Sequence, residues 1–479
     1  MAQTEPMKLS TASRHLLSIK ADEDELTPHQ KSFIQNFITR YNKRTEKSKQ
    51  YSEKYRPIFS DWINTMGYRQ TLKEIRYPLV GYRSFGSRIW DIDDNEYIDL
   101  AMGYGVNLLG HSPDFLTQAL EKQLKDGIQL APMYDKTGEV AALICELTGA
   151  ERVAFSNTGT EAVMSAIRLA RAATDRNKIV LFDGSYHGHF DGVMVSNNEK
   201  GPFPWSPGTP VAMAEDVLSL KYGSEESLDL IRSCGHELAA VIVEPIQSRI
   251  PDFYPVDFLK ELRQITQKTG TALIFDEVVT GFRVHPGGIQ AYSNIRADIT
   301  TYGKAVANGM PISIIAGKKK YLDTIDGGPW RFDDNSYPGV KPAAFAGTFR
   351  KHPLATTAAH AVLTYLKTQG PSLQENLNAR STLFANKLNA YFEQDKVPMK
   401  ANHFGSIFQF RAYGKYDPSL QPIEIELLFH LMIEKGVYNW EKRSFYLSTA
   451  HTDQDLETII RVFQESIAAL RDGGFSFSI

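Results

Sequence analysis

Cysteine is nearly absent from this 479-residue chain: Cys145 and Cys234 stand far apart and in no C-x-x-C spacing. That excludes a disulfide scaffold and a cysteine-rich zinc site, and it suits a reducing cytoplasm. Charge of one sign is missing too. Its 53 Lys and Arg against 56 Asp and Glu leave a net charge of −3, too weak a field to gather nucleic acid or an anionic membrane. No apolar run approaches the roughly 18 residues of a membrane-spanning helix. The opening MAQTEPMKLSTASRHLLSIK lacks the apolar centre of a secretory signal. Neither an internal repeat nor a low-complexity tract is present. What is there is 42% apolar and 23% charged residues, enough to bury a large core, with a cytoplasmic location expected.

The pattern along the chain predicts five segments. Residues 1–26 are polar, end in ADEDEL, and read as a mobile leader. Residues 27–75 read as a helical extension opened by Thr27 as N-cap and Pro28 in the first turn. From Arg40 to Arg56 this extension carries seven basic residues against two acidic ones, either a solvated helical face or a docking surface for an acidic partner. Residues 76–129 supply the N-terminal part of a smaller domain. Within them SRIWDIDDNEYIDLAMG reads as a β-hairpin that turns at Asp93, Asp94 and Asn95. From 130 to 350 the short apolar strands ERVAFSN, KIVLFDG, LAAVIVEPI and TALIFDEV alternate with helices, which predicts a large α/β domain on a mostly parallel sheet covered on both faces. Residues 351–479 are helix-rich, with strands such as GSIFQFRAY, and complete the smaller α+β domain.

Three stretches fall at strand ends, where open α/β sheets place their ligands. In SNTGTEA a strand ends, a small polar loop follows, and a helix begins near Thr160. Its free amides and the Thr160 hydroxyl would hold a phosphate, or merely cap the helix. Neither G-x-x-x-x-G-K-[ST] nor G-x-G-x-x-G is present. In ALIFDEVVTGFR an apolar strand delivers Asp276 and Glu277 to its carboxyl end, where a carboxylate needs a cation or a strong donor. In ADITTYGKAVANGMPIS, Lys304 sits among glycine and small residues, a setting for a desolvated, nucleophilic amine as well as for an ordinary surface lysine. A fourth stretch, GSYHGHFDG, holds His187, His189 and Asp191 in an H-x-H-x-D pattern that could begin a metal site, and Tyr186, a ring that could lie on a flat cofactor. Gly192 stands where a further metal-binding histidine would be wanted, so no metal is expected. Together these parts fit pyridoxal 5'-phosphate. Its phosphate needs helix-terminus donors (Gly159, Thr160), its ring nitrogen a carboxylate (Asp276), its aldehyde a lysine (Lys304), and its ring a flat partner (Tyr186).

The motifs SNTGTEA, GSYHGHFDG, VIVEPI, IFDEVVTGFR, TTYGKAVANGMPIS and FAGTFRKHPLA resemble, in order, those of class III, fold-type I pyridoxal-phosphate aminotransferases, with the glutamate-1-semialdehyde aminomutase group nearest. RYNKRTEKSKQYSEKYRP, GSRIWDIDDNEYIDLAMGYGVNLLGH and FYLSTAHTDQDLETII are similar to the aminotransferase domains of hybrid polyketide–peptide synthetases of the microcystin and iturin/mycosubtilin type. The resemblance runs from about residue 27 to 470. It implies a transaminase in which Lys304 carries the cofactor and shuttles the proton, and Asp276 binds the ring nitrogen. Tyr186 and Val278 then flank the ring, while Ser156, Asn157, Gly159 and Thr160 line the phosphate side. Asn157 and His187 would orient Asp276 and the cofactor, with Glu244 nearby. Thr348 would reach the phosphate of a neighbouring subunit, which requires a homodimer with shared sites. Pyridoxamine 5'-phosphate would be the second form of the cofactor, with an amino acid as donor.

Two positions depart from the relatives. Where the aminomutase group has an arginine for a free carboxylate, this chain has Val80, with Arg83 nearby; valine cannot bind a carboxylate. Arg249 stands five residues after Glu244, where many ω-aminotransferases have glutamate. Tyr104 lies where relatives set an aromatic ring against the substrate. The resemblance therefore implies a substrate with a masked carboxyl, a β-ketoacyl thioester on an acyl carrier protein or synthetase module. An aminomutase-like isomerase is the alternative, and it would use the same catalytic residues.

Overall fold

The computed structural model describes residues 19–198, 201–417, 420, 422–440 and 444–478. Most of the leader expected over 1–26 lies outside the described residues. Seven strands form the central sheet: β1 (Arg152–Ser156), β2 (Lys178–Phe182), β3 (Val217–Leu220), β4 (Leu238–Val243), β5 (Ala272–Glu277), β6 (Ile299–Tyr302) and β7 (Ser313–Gly317). Their spatial order is β3-β2-β4-β5-β6-β7-β1. All pairings are parallel except the two made by β7, which runs antiparallel to β6 and β1. This is the mostly parallel, doubly covered sheet that the apolar strand runs predict.

Alternation along the strands sorts their side chains into two cores. Ile179, Leu181, Ala240, Ile242, Ala272 and Ile274 pack toward the helix Gly159–Thr174, with its Ala162, Ala166 and Ala170. Val180, Val241, Val243, Leu273 and Phe275 pack on the opposite face, against the helices Glu225–Cys234 and Val256–Thr269. The same parity continues past the apolar run of β5. Asp276 follows Ala272 and Ile274 onto the face of the helix Gly159–Thr174, and Glu277 follows Leu273 and Phe275 onto the other.

The hairpin forms as the sequence predicts. Arg88–Asp91 pairs antiparallel with Glu96–Asp99, and Asp91 Oδ1 accepts from the amides of Asp93 and Asn95 across the turn. The N-terminal helix begins with a capping box between Thr27 and Gln30, with Pro28 in its first turn. It does not run unbroken to Arg56: Thr45 leaves helical geometry and separates Pro28–Arg44 from Glu46–Tyr55. The break lets Asp93 accept from the amides of Lys47 and Ser48, the second helix's first turn.

The basic stretch is largely engaged within the chain. Arg40 pairs with Glu434, Lys47 with Asp94 and Lys49 with Glu74. Arg44 lies over the Tyr97 ring, and Arg56 donates to the Arg76 carbonyl. Beyond residue 351, the helices Pro353–Gln369, Ser372–Gln394, Ile423–Glu434 and Asp453–Asp472 surround a three-stranded sheet. Among the described residues no helix is long and apolar enough to cross a membrane.

Candidate active site

The carboxyl ends of β4, β5 and β6 and the loop after β2 converge on Asp276. Its Oδ2 lies 2.7 Å from His187 Nδ1, and its Oδ1 accepts from the Val278 amide at 3.1 Å and the Thr301 hydroxyl at 3.2 Å. Thr301 is the direct neighbour of Asp276 in the β5–β6 register. A buried carboxylate survives only with such donors, and Asp276 has three. The neighbouring Glu277, on the opposite face, accepts from the amides of Ile289 and Gln290 and from Thr280. Burial pushes its carboxyl up to about 7. Glu277 therefore anchors the loop after β5, and of the strand's two carboxylates Asp276 alone faces the site.

Lys304 opens a short 3₁₀ turn after β6, at a positive φ of 44°. A left-handed lysine is unusual and marks a site where the surroundings dictate the backbone. Burial pushes its amine below the ordinary lysine range, and Arg283 acts in the same direction; Asp276 and Glu244 oppose both. Glu244, at the end of β4, is buried and pushed up by that burial. It accepts from the Tyr186 amide at 2.9 Å and from the Ser248 hydroxyl at 3.3 Å. Glu244 thus ties the Tyr186 loop to the site. Arg249 lies over the Tyr186 ring, 5.4 Å from its centroid.

The helix Gly159–Thr174 points its N-terminus at this cluster, with Thr158 as its cap. A Cβ on Gly159 would come within 3.0 Å of Val278, and one on Gly188 within 2.4 Å of the Thr160 hydroxyl. Glycine is therefore required where helix start, β5 loop and His187 loop meet. Among the buried polar atoms of the described residues that lack a hydrogen-bond partner, three lie at this site: Ser156 Oγ, Asn157 Oδ1 and His187 Nε2. Orphaned groups at these strand ends fit a polar ligand. A phosphate at the helix start, a ring between Val278 and Tyr186, and an aldehyde at Lys304 match the donor set present, so the residues fit pyridoxal phosphate.

Not every sequence-predicted residue behaves as expected. Asn157 makes no bond to Asp276; its amide donates to Glu161, and it belongs to the helix cap. His189 is exposed and bonds Thr160 only through its backbone amide, while buried His187 faces Asp276. The H-x-H-x-D pattern is thus split between two environments. Val80 bonds through its backbone to Ser48 and Ile92, and the Arg83 guanidinium covers the Trp90 ring at 4.7 Å. Tyr104, at a φ of 61°, sits on a turn that packs against the Lys304 turn, with its ring 4.3 Å from that of Trp440. Thr348 is exposed.

Sequence reasoning missed Thr301 and Arg283. Thr301 reaches Asp276 only because β5 and β6 are neighbours in this register. Buried Arg283 holds the Gly105 and Leu447 carbonyls and the Ser406 hydroxyl at 2.8–2.9 Å, which fastens the Tyr104 turn to the C-terminal sheet. Its position in TGFR next to Asp276 was the available signal.

Comparison with known proteins agrees with this geometry. The family model described as Aminotransferase class-III matches residues 72–464. Glutamate-1-semialdehyde 2,1-aminomutase 2 of Lachnoclostridium phytofermentans is 34% identical over 394 residues, 79% of this chain and 89% of that protein. A solved transaminase with PLP bound superposes with a TM-score of 0.79 at 25% identity, covering 90% of this chain and 99% of its own. A β-phenylalanine aminotransferase from Variovorax paradoxus gives 0.77 at 27% identity, covering 92% and 98%.

Proposed function

The chain belongs to the class III aminotransferase family, and from that premise we propose that it is a pyridoxal-phosphate-dependent aminotransferase acting on a keto substrate with a masked carboxyl. The amino donor is an amino acid of the glutamate or glutamine class, and the acceptor is a β-ketoacyl group held as a thioester in natural-product assembly. The observation that carries the chemistry is the convergence of Lys304, Asp276, His187 and Glu244 on one set of strand ends.

When bound, pyridoxal phosphate supplies an aldehyde for the substrate amine and an electron-poor ring that takes up the electron pair released at the substrate carbon. Asp276 supplies the negative charge for the ring nitrogen, and His187 and Thr301 keep that carboxylate aimed. Gly159 and Thr160 hold the phosphate with the amides of the helix start. Lys304, its amine pushed down by burial, would take the proton from the donor carbon and deliver it to the cofactor carbon that bore the aldehyde, and would run the same transfer in reverse for the acceptor. Tyr186 and Val278 confine the ring, and Tyr104 lines the substrate side.

Two features support the masked carboxyl. Val80 offers no cation, and the Arg83 guanidinium is stacked on Trp90. The likeness to a β-phenylalanine aminotransferase supports amination at the β position. Sites shared in a homodimer are supported by the exposed segment holding Trp330, Phe332, Tyr337, Thr348 and Phe349, an apolar surface that a second copy would cover. A second reading, isomerisation of glutamate-1-semialdehyde, is favoured by the 34% identity to the aminomutase.

The test offers the protein a β-ketoacyl thioester on a carrier protein together with L-glutamate or L-glutamine, and separately glutamate-1-semialdehyde without a donor. A β-amino thioester with stoichiometric keto acid supports the transaminase. Conversion of the semialdehyde alone, with no thioester turnover, replaces it with the aminomutase.

A further inference from the structure

Arg249 is half-buried, and desolvation pushes its guanidinium below the ordinary arginine range. Among the described residues it makes no hydrogen bond and no ion pair; its recorded close contact is the face of Tyr186 at 5.4 Å. A partly desolvated guanidinium with five donors and no recorded protein acceptor is open to an anionic partner. Glu244, the nearest anion acting on it, already accepts from Tyr186 and Ser248 with its two oxygens.

The loop that carries Arg249 is firmly fastened. Ser248 donates to Glu244 through its hydroxyl, and its carbonyl accepts from the Ser444 hydroxyl at 2.8 Å. Gln247 donates to the Asp183 carbonyl at 3.0 Å, and the Ile250 amide closes onto Gln247 at 2.9 Å. The strand end at Glu244 and the C-terminal segment at Ser444 hold the loop that carries the cation. An unpaired, pre-positioned guanidinium beside the ring expected to flank the cofactor is a receptor for a planar anion, and a carboxylate fits its fork.

We propose that Arg249 binds a carboxylate of the amino donor. This rests on the transaminase reading above, and it accounts for how one cleft admits two unlike substrates. The donor brings a carboxylate that pairs with Arg249. The acceptor, masked as a thioester, brings none, and the guanidinium then stays on the Tyr186 face.

The test uses the cofactor-loaded protein, its Arg249→Gln and Arg249→Lys variants, and glutarate as an unreactive dicarboxylate probe. Calorimetry is expected to show glutarate binding weakened at least about 30-fold in Arg249→Gln, with Arg249→Lys between it and the parent. In the donor half-reaction, the ratio of kcat/KM for L-glutamate to that for n-butylamine falls by a similar factor. A fall shared by L-alanine assigns the α-carboxylate, and a fall confined to L-glutamate assigns the side-chain carboxylate; either supports the proposal. Unchanged glutarate affinity, or an equal loss for glutamate and butylamine, overturns it. If no amino donor converts the parent protein, the transaminase reading fails instead, and glutarate binding still decides the role of Arg249.

Discussion

His187 Nδ1 and Asp276 Oδ2 lie 2.7 Å apart, both side chains buried, with the second ring nitrogen of His187 unpartnered. The imidazole fixes where the carboxylate points, and Thr301 and the Val278 amide fix its other oxygen. Asp276→Asn keeps the shape and removes the charge. The donor half-reaction is expected to slow on the order of 10²–10³-fold, with the melting temperature little changed. His187→Gln, which can still donate, is expected to lose far less. Stopped-flow absorbance on both variants checks this; an Asp276→Asn enzyme within a few-fold of the parent would remove the carboxylate from the chemistry.

After Asp276, Glu244 is the second anion that raises the amine of Lys304 against burial. Burial lowers the lysine pKa and Glu244 raises it. Glu244→Gln deletes one anion, so the lysine pKa moves lower still and neutral amine is available at more acidic pH. The acid limb of the donor kcat profile should therefore shift toward lower pH. A limb that stays put would show that Lys304 is not the group titrating there.

Much of this was legible in the sequence, for definable reasons. The strands of the sheet are buried on both faces, so they appear as unbroken apolar runs, and a charged pair ending such a run marks a ligand. Parity separates the two carboxylates onto opposite faces, and the helix Gly159–Thr174, on the face of Ala272, Ile274 and Asp276, is what makes Asp276 the one at the site. The capping box at Thr27 and the turn at Asp93 are local, and local chemistry is readable. Thr301 was not, because its partnership with Asp276 is set by strand order rather than chain distance. The break at Thr45 was not either, since it serves Asp93, 48 positions away. The solitude of Arg249 is a property of packing that no spacing reveals.

His451 sets an acid limit on stability. Its Nδ1 accepts from the Ser448 amide and hydroxyl at 2.9–3.0 Å, so the buried Nε2 carries the proton. Burial pushes its pKa down from the ordinary 6.5 to about 4, against the pull of Asp455 and Asp99. The folded state thus binds fewer protons than the unfolded chain between those values. Stability is expected to fall as pH drops through this window, by up to about 3 kcal/mol once below it. Urea melts of the parent and of His451→Gln between pH 7 and pH 4 check the sign, and the variant should show a flatter dependence. Equal slopes would assign the acid lability elsewhere.

Gly188 is where the loop bearing Tyr186 and His187 meets the helix start. Its φ of +88° disfavours any L side chain, and an added Cβ would sit 2.4 Å from the Thr160 hydroxyl and 2.8 Å from the Thr160 Cα. A backbone atom cannot rotate away, so Gly188→Ala has to move the loop, the helix start, or both. Moving the loop displaces His187 from Asp276, and moving the helix start disturbs the amides expected to hold the phosphate. The strain itself costs about 1–3 kcal/mol. The larger effect is expected on cofactor retention: dialysed Gly188→Ala protein should lose pyridoxal phosphate at concentrations where the parent keeps it. Gly127→Ala is the control. It also has a positive φ, of 102°, but open space around it, so it shares the backbone penalty without touching the site. If both variants retain cofactor equally, the contact between Gly188 and Thr160 has no part in building the phosphate pocket.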